Sequence, residues 1–136
     1  MKTHELKLDI KYFDDVKTGK KKFEIRKNDR DFEVGDILDL KAWDKDSFVF
    51  WRTTSSDNHE DYWQTCLKEK ADTIKVKVTE VIRADEFNKN PWEYETSTKM
   101  YAADILEIDV LDVLKDYFHT DLIPDGYAVL GIEVIE

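Results

Sequence analysis

The ten residues TIKVKVTEVI, from Thr73 to Ile82, alternate apolar and polar side chains through their first six positions. An isoleucine and two valines face one way and the lysines between them face the other, which is the period of a strand with one buried face. The alternation slips at Val81, so we expect either a bulge there or the end of the strand. This segment indicates a fold built on β-sheet.

Strand signals also occur on both sides of this segment. Apolar residues recur at every second position in three stretches, which are His4–Ile10, Lys22–Lys27 and Asp36–Trp43. Phe48–Arg52 is placed to return as a hairpin strand. The last stretch, Tyr127–Ile135, is apolar on both faces as far as Gly131, which is typical of a central strand covered on two sides. We therefore expect five or six strands.

Helical spacing is found in three places. Tyr12–Lys17 predicts a short helix, and Gly19 suits its left-handed stop. Tyr62–Leu67 predicts a short amphipathic turn of helix. Ala103–Phe118 carries both a helical stripe and a strand-like alternation, and we favour helix. With the strands, these elements predict a mostly β (α+β) domain with two or more short helices.

Length and composition predict one small domain over residues 1–136. Of these residues 52 are charged and 41% are hydrophobic, and the chain is long enough to bury a core without disulfide staples. The single cysteine, Cys66, cannot close an intrachain bridge, and the first residues, MKTHELKLDIK, lack the apolar stretch of a secretory signal. No apolar run approaches the length of a membrane span. We expect a cytoplasmic protein without a membrane partner.

The charge of the chain is uneven. Its net charge is −10, which disfavours sequence-blind binding to nucleic acid. The segment from Lys17 to Arg30, however, contains seven cationic and two anionic side chains. Its local charge is therefore +5, and the remainder of the chain carries −15. Such a basic segment would focus an anionic ligand at one place. The plainer alternative is a solvated face whose lysines pair with the acidic remainder.

The sequence GKKKFEIR at Gly19–Arg26 fits a GxKxxExR pattern, with matches at Gly19, Lys21, Glu24 and Arg26. On this motif the chain resembles the ASCH superfamily of small PUA-like β-barrels, and within it a bacterial and phage family of unknown function. The resemblance covers His4–Leu40 and extends to Thr73–Ile82 and Gly126–Ile135. It implies a single PUA-like barrel of five or six strands with insertions at about 44–72 and 83–125.

The resemblance also implies a function. ASCH domains are thought to bind RNA in a cleft beside this motif, so we expect an RNA- or nucleotide-binding domain. Glu24 and Arg26 lie two apart on one strand face, about 7 Å along the chain, which is close enough to pair or to contact one planar ligand together. The expected ligand-binding residues are Lys20, Lys21, Glu24, Arg26, Lys27 and Arg30. We expect the polar segment Asp44–Lys70 to form a flap over them.

Two other functions stay open. One branch of the superfamily contains small amidohydrolases that deacetylate N-acetylcytidine, and an enzyme of that type would use Lys21 and Glu24 as its catalytic residues. Glu24 stands where that branch has its threonine nucleophile, so we expect no turnover. The second alternative is a protein-interaction module that uses the acidic surface. The three histidines lack metal-ligand spacing and no phosphate-binding glycine loop is present, so no metal and no cofactor are expected.

Overall fold

A computed structural model of the chain describes residues 1–55, 61–88, 99–100 and 103–135. The strands are β1 (Thr3–Asp9), β2 (Phe23–Lys27), β3 (Ile37–Asp44), β4 (Val49–Ser55), β5 (Asp61–Cys66), β6 (Thr73–Arg83) and β7 (Tyr127–Val134). The helices are α1 (Ile10–Lys17), α2 (Ala84–Phe87) and α3 (Glu107–Phe118), and a 3₁₀ turn spans Lys68–Lys70. None of these described helices is both long enough and apolar enough to cross a bilayer.

The seven strands pair in the order β2-β7-β6-β3-β4-β5, and β1 pairs with β3 outside this order. The β1–β3 pair is parallel, from Thr3 opposite Ile37 to Asp9 opposite Trp43, whereas β2–β7, β3–β4 and β4–β5 are antiparallel. Within the described residues β2 and β5 end the order without pairing with each other, so the sheet does not close. The predicted barrel of five or six strands is therefore corrected to a seven-stranded sheet in a small β-rich α+β fold, because alternation identifies strands but not whether the end strands meet.

The contacts divide the chain into two compact units. The first unit comprises Met1, Lys22–Asp36 and Lys77–Glu133, and the second comprises Lys2–Lys21, Ile37–Val76 and the residues from Val134 onward. Strand β6 contributes its first four residues to the second unit and the others to the first. The single domain over residues 1–136 and its insertions stay predictions.

The core of the first unit joins β2, β6 and β7 to the segment that follows β6. Its buried cluster consists of Phe23, Ile82, Ala84, Phe87, Met100, Ile105, Val110, Leu114, Ile123 and Val129. Val110 and Leu114 lie one turn apart on α3 and are fully buried, which confirms the helix favoured for this stretch. Each such aliphatic side chain contributes about 1.5–3 kcal/mol when it is removed from water. Residues 83–125 therefore supply much of this core.

The core of the second unit forms where α1 packs against β1 and β3. Asp9 caps the helix by accepting a hydrogen bond from the Lys11 N–H at 3.0 Å. On its inner face Phe13 and Val16 are buried, and the strands contribute buried residues that include Leu8 and Leu40. Alternation of this kind predicted β1 and β3 correctly.

The prediction of a helical turn at Tyr62–Leu67 is wrong. It forms most of β5, which pairs with β4 from Phe50 opposite Cys66 to Ser55 opposite Asp61. The Trp63 ring meets the Phe13 ring edge to face, with 5.4 Å between centroids. Tertiary packing thus decides the structure of a stretch whose local spacing favoured helix. Because β4 and β5 extend the sheet, this part of the expected flap is corrected to sheet strands.

The end of β6 also differs from the pattern read in the sequence. Ile82 is fully buried and lies in phase with Ile74, Val76 and Val78, with the partly buried Glu80 occupying the position between. The alternation therefore does not slip, and no bulge is needed. The strand ends at Arg83, one residue after the predicted end.

Candidate ligand-binding site

The turn before β2 begins where α1 stops. Thr18 donates from Oγ1 to the Asp14 carbonyl at 2.8 Å, and the Gly19 N–H donates to the Val16 carbonyl at 3.1 Å. Gly19 has φ +80°, and a Cβ placed on it would meet no atom within 4 Å. The backbone conformation, not the available space, therefore favours glycine at this position. The predicted helix stop is confirmed.

Lys21 is held against α1 within the second unit. Its backbone N–H donates to the Asp15 carbonyl at 2.9 Å, and its Nζ lies 4.9 Å from the centroid of the Tyr12 ring. This distance is within the range of about 6 Å over which a cation and an aromatic face attract each other. The aromatic ring thus gives the lysine of the motif a preferred position.

Strand β2 separates apolar and charged side chains onto its two faces. Phe23 and Ile25 pack on the core cluster of the first unit, and Glu24 and Arg26 project from the other face. In the register with β7, Glu24 lies opposite Leu130 and Arg26 lies opposite Ala128. Both of these neighbours are fully buried. The two charged residues therefore have apolar neighbours on β7.

Glu24 and Arg26 form an ion pair within β2, as their spacing predicted. Arg26 Nε and Nη2 each lie 3.1 Å from Glu24 Oε2, so that two donors meet one carboxylate oxygen. The Glu24 side chain is 6% exposed and the Arg26 side chain is 23% exposed. A buried carboxylate needs such a partner, because an unpaired charge of this kind costs several kcal/mol. The guanidinium is the part of the pair that a ligand can reach.

The predicted ligand-binding residues are divided between the two units. Lys20 and Lys21 belong to the second unit, and Glu24, Arg26, Lys27 and Arg30 belong to the first. The side chains of Lys20, Lys27 and Arg30 are exposed. Lys22, which the motif leaves variable, pairs its Nζ with Asp104 Oδ2. That all the predicted ligand-binding residues line one cleft stays a prediction.

Other reactive side chains do not assemble into a centre in the part of the chain that the structure describes. Burial raises the pKa of the Cys66 thiol, so this thiol is a poor nucleophile at neutral pH. His4 is buried on β1 and His119 ends α3 in a left-handed conformation, while His59 lies outside the described residues. Among residues 1–55, 61–88, 99–100 and 103–135, no three His, Cys, Asp or Glu side chains are grouped to hold a metal ion.

A cavity that sequence reasoning missed lies within the first unit. Its volume is about 320 Å³, and it is located where β6 ends, β2 ends and β7 begins. Polar and aromatic side chains line it, and they include Asn28, Arg83, Asp85, Asp125 and Tyr127. These residues come from three separate stretches of the chain. No motif spans them, so no pattern in the sequence predicts the cavity.

The fold and this arrangement define a small β-rich α+β domain that carries a buried Glu–Arg pair beside a basic segment. The chain belongs to the family described as Domain of unknown function (DUF3850), which matches residues 3–89. The matched span starts with β1, includes the motif and continues through β6 into α2. The residues after position 89, with α3 and β7, lie beyond the match.

Two further proteins are similar to this chain. An uncharacterized 12.9 kDa protein in the GpA 3′ region of Escherichia phage P2 is 57% identical over 42 residues, which make up 31% of this chain and 38% of that protein. The crystal structure of the hypothetical protein PH0355 aligns over 98% of this chain and 99% of that chain, with 18% identity and a TM-score of 0.40. The predicted relation to a phage family of unknown function is thereby confirmed at that level, and the ASCH assignment stays a prediction.

Proposed function

We propose that this chain is an ASCH-type domain that binds RNA or a nucleotide, with Arg26 contacting the ligand and Glu24 holding Arg26 in place. One observation carries the proposal: a nearly buried carboxylate and a partly exposed guanidinium form a pair on the face of β2 that does not carry Phe23 and Ile25. Lys27 and Arg30 of the same unit are proposed to add to the ligand-binding surface, and Lys20 and Lys21 stay predicted ligand-binding residues of the second unit.

Stability alone is a poor reason for this pair. Apolar side chains of similar volume often serve as well as or better than a buried ion pair, because the desolvation of two charges offsets their attraction. Leu130 and Ala128, the buried neighbours on β7, would pack against such apolar residues. We therefore attribute the pair to ligand binding, for which the guanidinium must be both charged and correctly oriented.

The chemistry of Arg26 suits an anionic or planar ligand. A guanidinium binds a phosphate, or the O6 and N7 atoms of guanine, through two parallel hydrogen bonds. In the first unit the exposed Lys27 and Arg30 provide further positive charge along the same chain segment. This local charge offsets the overall −10, which repels nucleic acid from the remainder of the surface.

The amidohydrolase alternative receives less support. Glu24 would have to act as a general base, yet its Oε2 already accepts a hydrogen bond from Arg26 Nε and forms an ion pair with Nη2 of the same permanently charged guanidinium. To take a proton from a substrate or water, this oxygen would have to give up those contacts. We propose that the chain is not a hydrolase of N-acylated cytidines, and mass spectrometry of such compounds after incubation with the protein tests this.

Fluorescence anisotropy with a labelled single-stranded RNA tests the binding proposal. Arg26→Lys keeps the positive charge beside Glu24 but removes the two-pronged donor, so we expect affinity to fall by about tenfold. Arg52→Lys is the matched control, because Arg52 lies on β4 and its guanidinium contacts only Gln64 among the described residues. This control should bind as the wild type does.

Equal losses in the two variants would mean that guanidinium groups in general, not this site, bind RNA. An Arg26→Lys variant with unchanged affinity would overturn the role of the pair. Circular dichroism and thermal unfolding of each variant separate lost binding from lost folding. The variant Glu24→Gln/Arg26→Met removes both charges together and gives a folded comparison if Arg26→Lys alone is unstable.

A further inference from the structure

We propose that the cavity lined by Asn28, Arg83, Asp85, Asp125 and Tyr127 binds one nucleoside monophosphate whose base carries an exocyclic amine. The class of ligand rests on the proposed function, but the site uses neither Glu24 nor Arg26. The cavity and the pair lie within the same unit, but the pair is on β2 and the cavity begins at Asn28, after the strand ends. The two sites can therefore be tested separately.

The walls of the cavity are fixed by contacts within the first unit. The Asn28 N–H donates to the Gly126 carbonyl at 2.7 Å, and Asn28 Oδ1 accepts from the Phe32 N–H at 3.0 Å. The Tyr127 ring meets the Phe118 ring edge to face, with 5.2 Å between centroids. A cavity held in this way binds without a large ordering cost.

Arg83 supplies an available cationic group. Its side chain is 57% exposed, and its nearest acidic neighbour within the described residues is Asp31, whose Oδ1 lies 4.0 Å from Nη2. That distance is too long for a hydrogen bond. Because guanidinium donors match the oxygens of a phosphate, we assign the phosphate of the ligand to Arg83. Lys27, which lies opposite Tyr127 in the β2–β7 register, adds positive charge at this end.

Asp85 and Asp125 supply the opposite chemistry. Both side chains are exposed, and neither carboxylate accepts a hydrogen bond from any residue that the structure describes. An ionised carboxylate only accepts, so it repels phosphate and attracts N–H groups. Adenine, cytosine and guanine each carry an exocyclic amine that can donate to it. Uracil lacks this amine, so we expect it to bind more weakly.

The size and lining of the cavity fit one nucleotide. A volume of about 320 Å³ lies at the lower end of the range of about 300–1,000 Å³ found for small-molecule sites. Tyr127 provides an aromatic surface in the wall, and aromatic side chains contact bases of every kind. A free amino acid also combines an anionic group with N–H donors, but it has no base to contact this ring. We therefore favour the nucleotide.

Isothermal titration calorimetry with AMP, CMP, GMP and UMP tests the inference, with free amino acids as a comparison. We expect the three amine-bearing nucleotides to bind at least about tenfold more tightly than UMP, which is the effect of one charge-assisted hydrogen bond. Arg83→Gln should lower the affinity for AMP by about tenfold, and Asp125→Asn should reduce the preference for AMP over UMP. Arg52→Gln, which removes the same charge from β4, should change neither.

Several results would overturn this assignment. They are undetectable nucleotide binding, an affinity for UMP equal to that for AMP, and AMP binding that Arg83→Gln leaves unchanged. Binding of free amino acids but not of nucleotides would overturn the choice of a nucleotide as the ligand. Arg83 is exposed and makes no capping hydrogen bond to α2, so its variant should fold. Arg26→Lys separates the two proposals, and we expect it to weaken RNA binding and leave AMP binding unchanged. Unchanged RNA binding in Arg26→Lys would overturn the proposed function alone, and unchanged AMP binding in Arg83→Gln would overturn this inference alone.

Discussion

Arg26 places two donors, Nε and Nη2, at 3.1 Å from the same Glu24 oxygen, and the two residues are separated by only one position on β2. The pair therefore forms within a single strand and needs no movement of another element. A guanidinium that is oriented before the ligand arrives loses less side-chain entropy on binding. This relationship makes the strand itself the part of the site that the sequence encodes most directly.

Removing one member of the pair should destabilise the fold more than removing both. We expect Arg26→Ala to lower the free energy of unfolding by about 3 kcal/mol, because it removes the Arg26 cation from beside the buried Glu24 carboxylate. Glu24→Gln/Arg26→Met should cost less than Arg26→Ala alone. Urea denaturation of Glu24→Gln, Arg26→Met and the variant that combines them measures the coupling, and additive effects would contradict a buried pair.

Binding to single-stranded RNA should depend strongly on salt. The logarithm of the association constant should fall as the logarithm of the salt concentration rises. If about three phosphates are contacted, the slope of this plot should be about −2. Lys27→Gln and Arg30→Gln should each make this slope shallower by about 0.7 if both side chains touch phosphate. Lys77→Gln, an exposed position on β6, is the matched control and should leave the slope unchanged.

A side chain at Gly131 should destabilise the first unit by crowding. A Cβ at this position would lie 2.7 Å from Thr79 Oγ1 and 3.1 Å from the Ala103 Cβ. We expect Gly131→Ala to lower the free energy of unfolding by about 1–3 kcal/mol, as overpacked cores do. Adding Thr79→Ala removes the closest atom and should restore part of the loss, as thermal unfolding would report. A lack of any rescue would place the strain elsewhere.

The turn between β3 and β4 should lose stability in acid. Hydrogen bonds from the Asp46 N–H and the Ser47 hydroxyl lower the pKa of the Asp44 carboxyl below its ordinary value of 3.8. Its contribution is therefore fully present above pH 3.8 and is lost as the pH falls through the lower folded value. The stability difference between wild type and Asp44→Asn should shrink over that window. Asp46→Asn, which uses only its backbone N–H in this turn, should show no such trend.

Sequence reasoning succeeded where local pattern and burial agree. The alternation in β1 and β6 and the helix stop at Gly19 all depend on residues that are neighbours in the chain. It failed for β5, where Trp63 contacts Phe13, fifty positions earlier. It also predicted a barrel, which is wrong. Closure depends on where the two end strands lie, and the number of strands does not determine that.

The candidate site divides in the same way. Glu24 and Arg26 were predicted as a pair because a strand places residues two apart on one face. The cavity that includes Asn28, Arg83 and Asp125 was missed because only the pairing of β2, β6 and β7 brings those positions together. The Lys21–Tyr12 contact was also unforeseen, since it depends on how the chain turns after α1.

The parallel pairing of β1 with β3 has a consequence for how the chain folds. Each residue of β1 meets a partner 34 positions later, whereas Ser55 in β4 meets Asp61 only six positions later. Bringing distant segments together costs loop-closure entropy before any contact offsets it, so such pairs form late. In pulse-labelled hydrogen exchange during refolding, the amides of β4 and β5 should be protected before those of β1. During synthesis β1 would leave the ribosome before β3, and until the two strands pair α1 has no completed surface on which to pack.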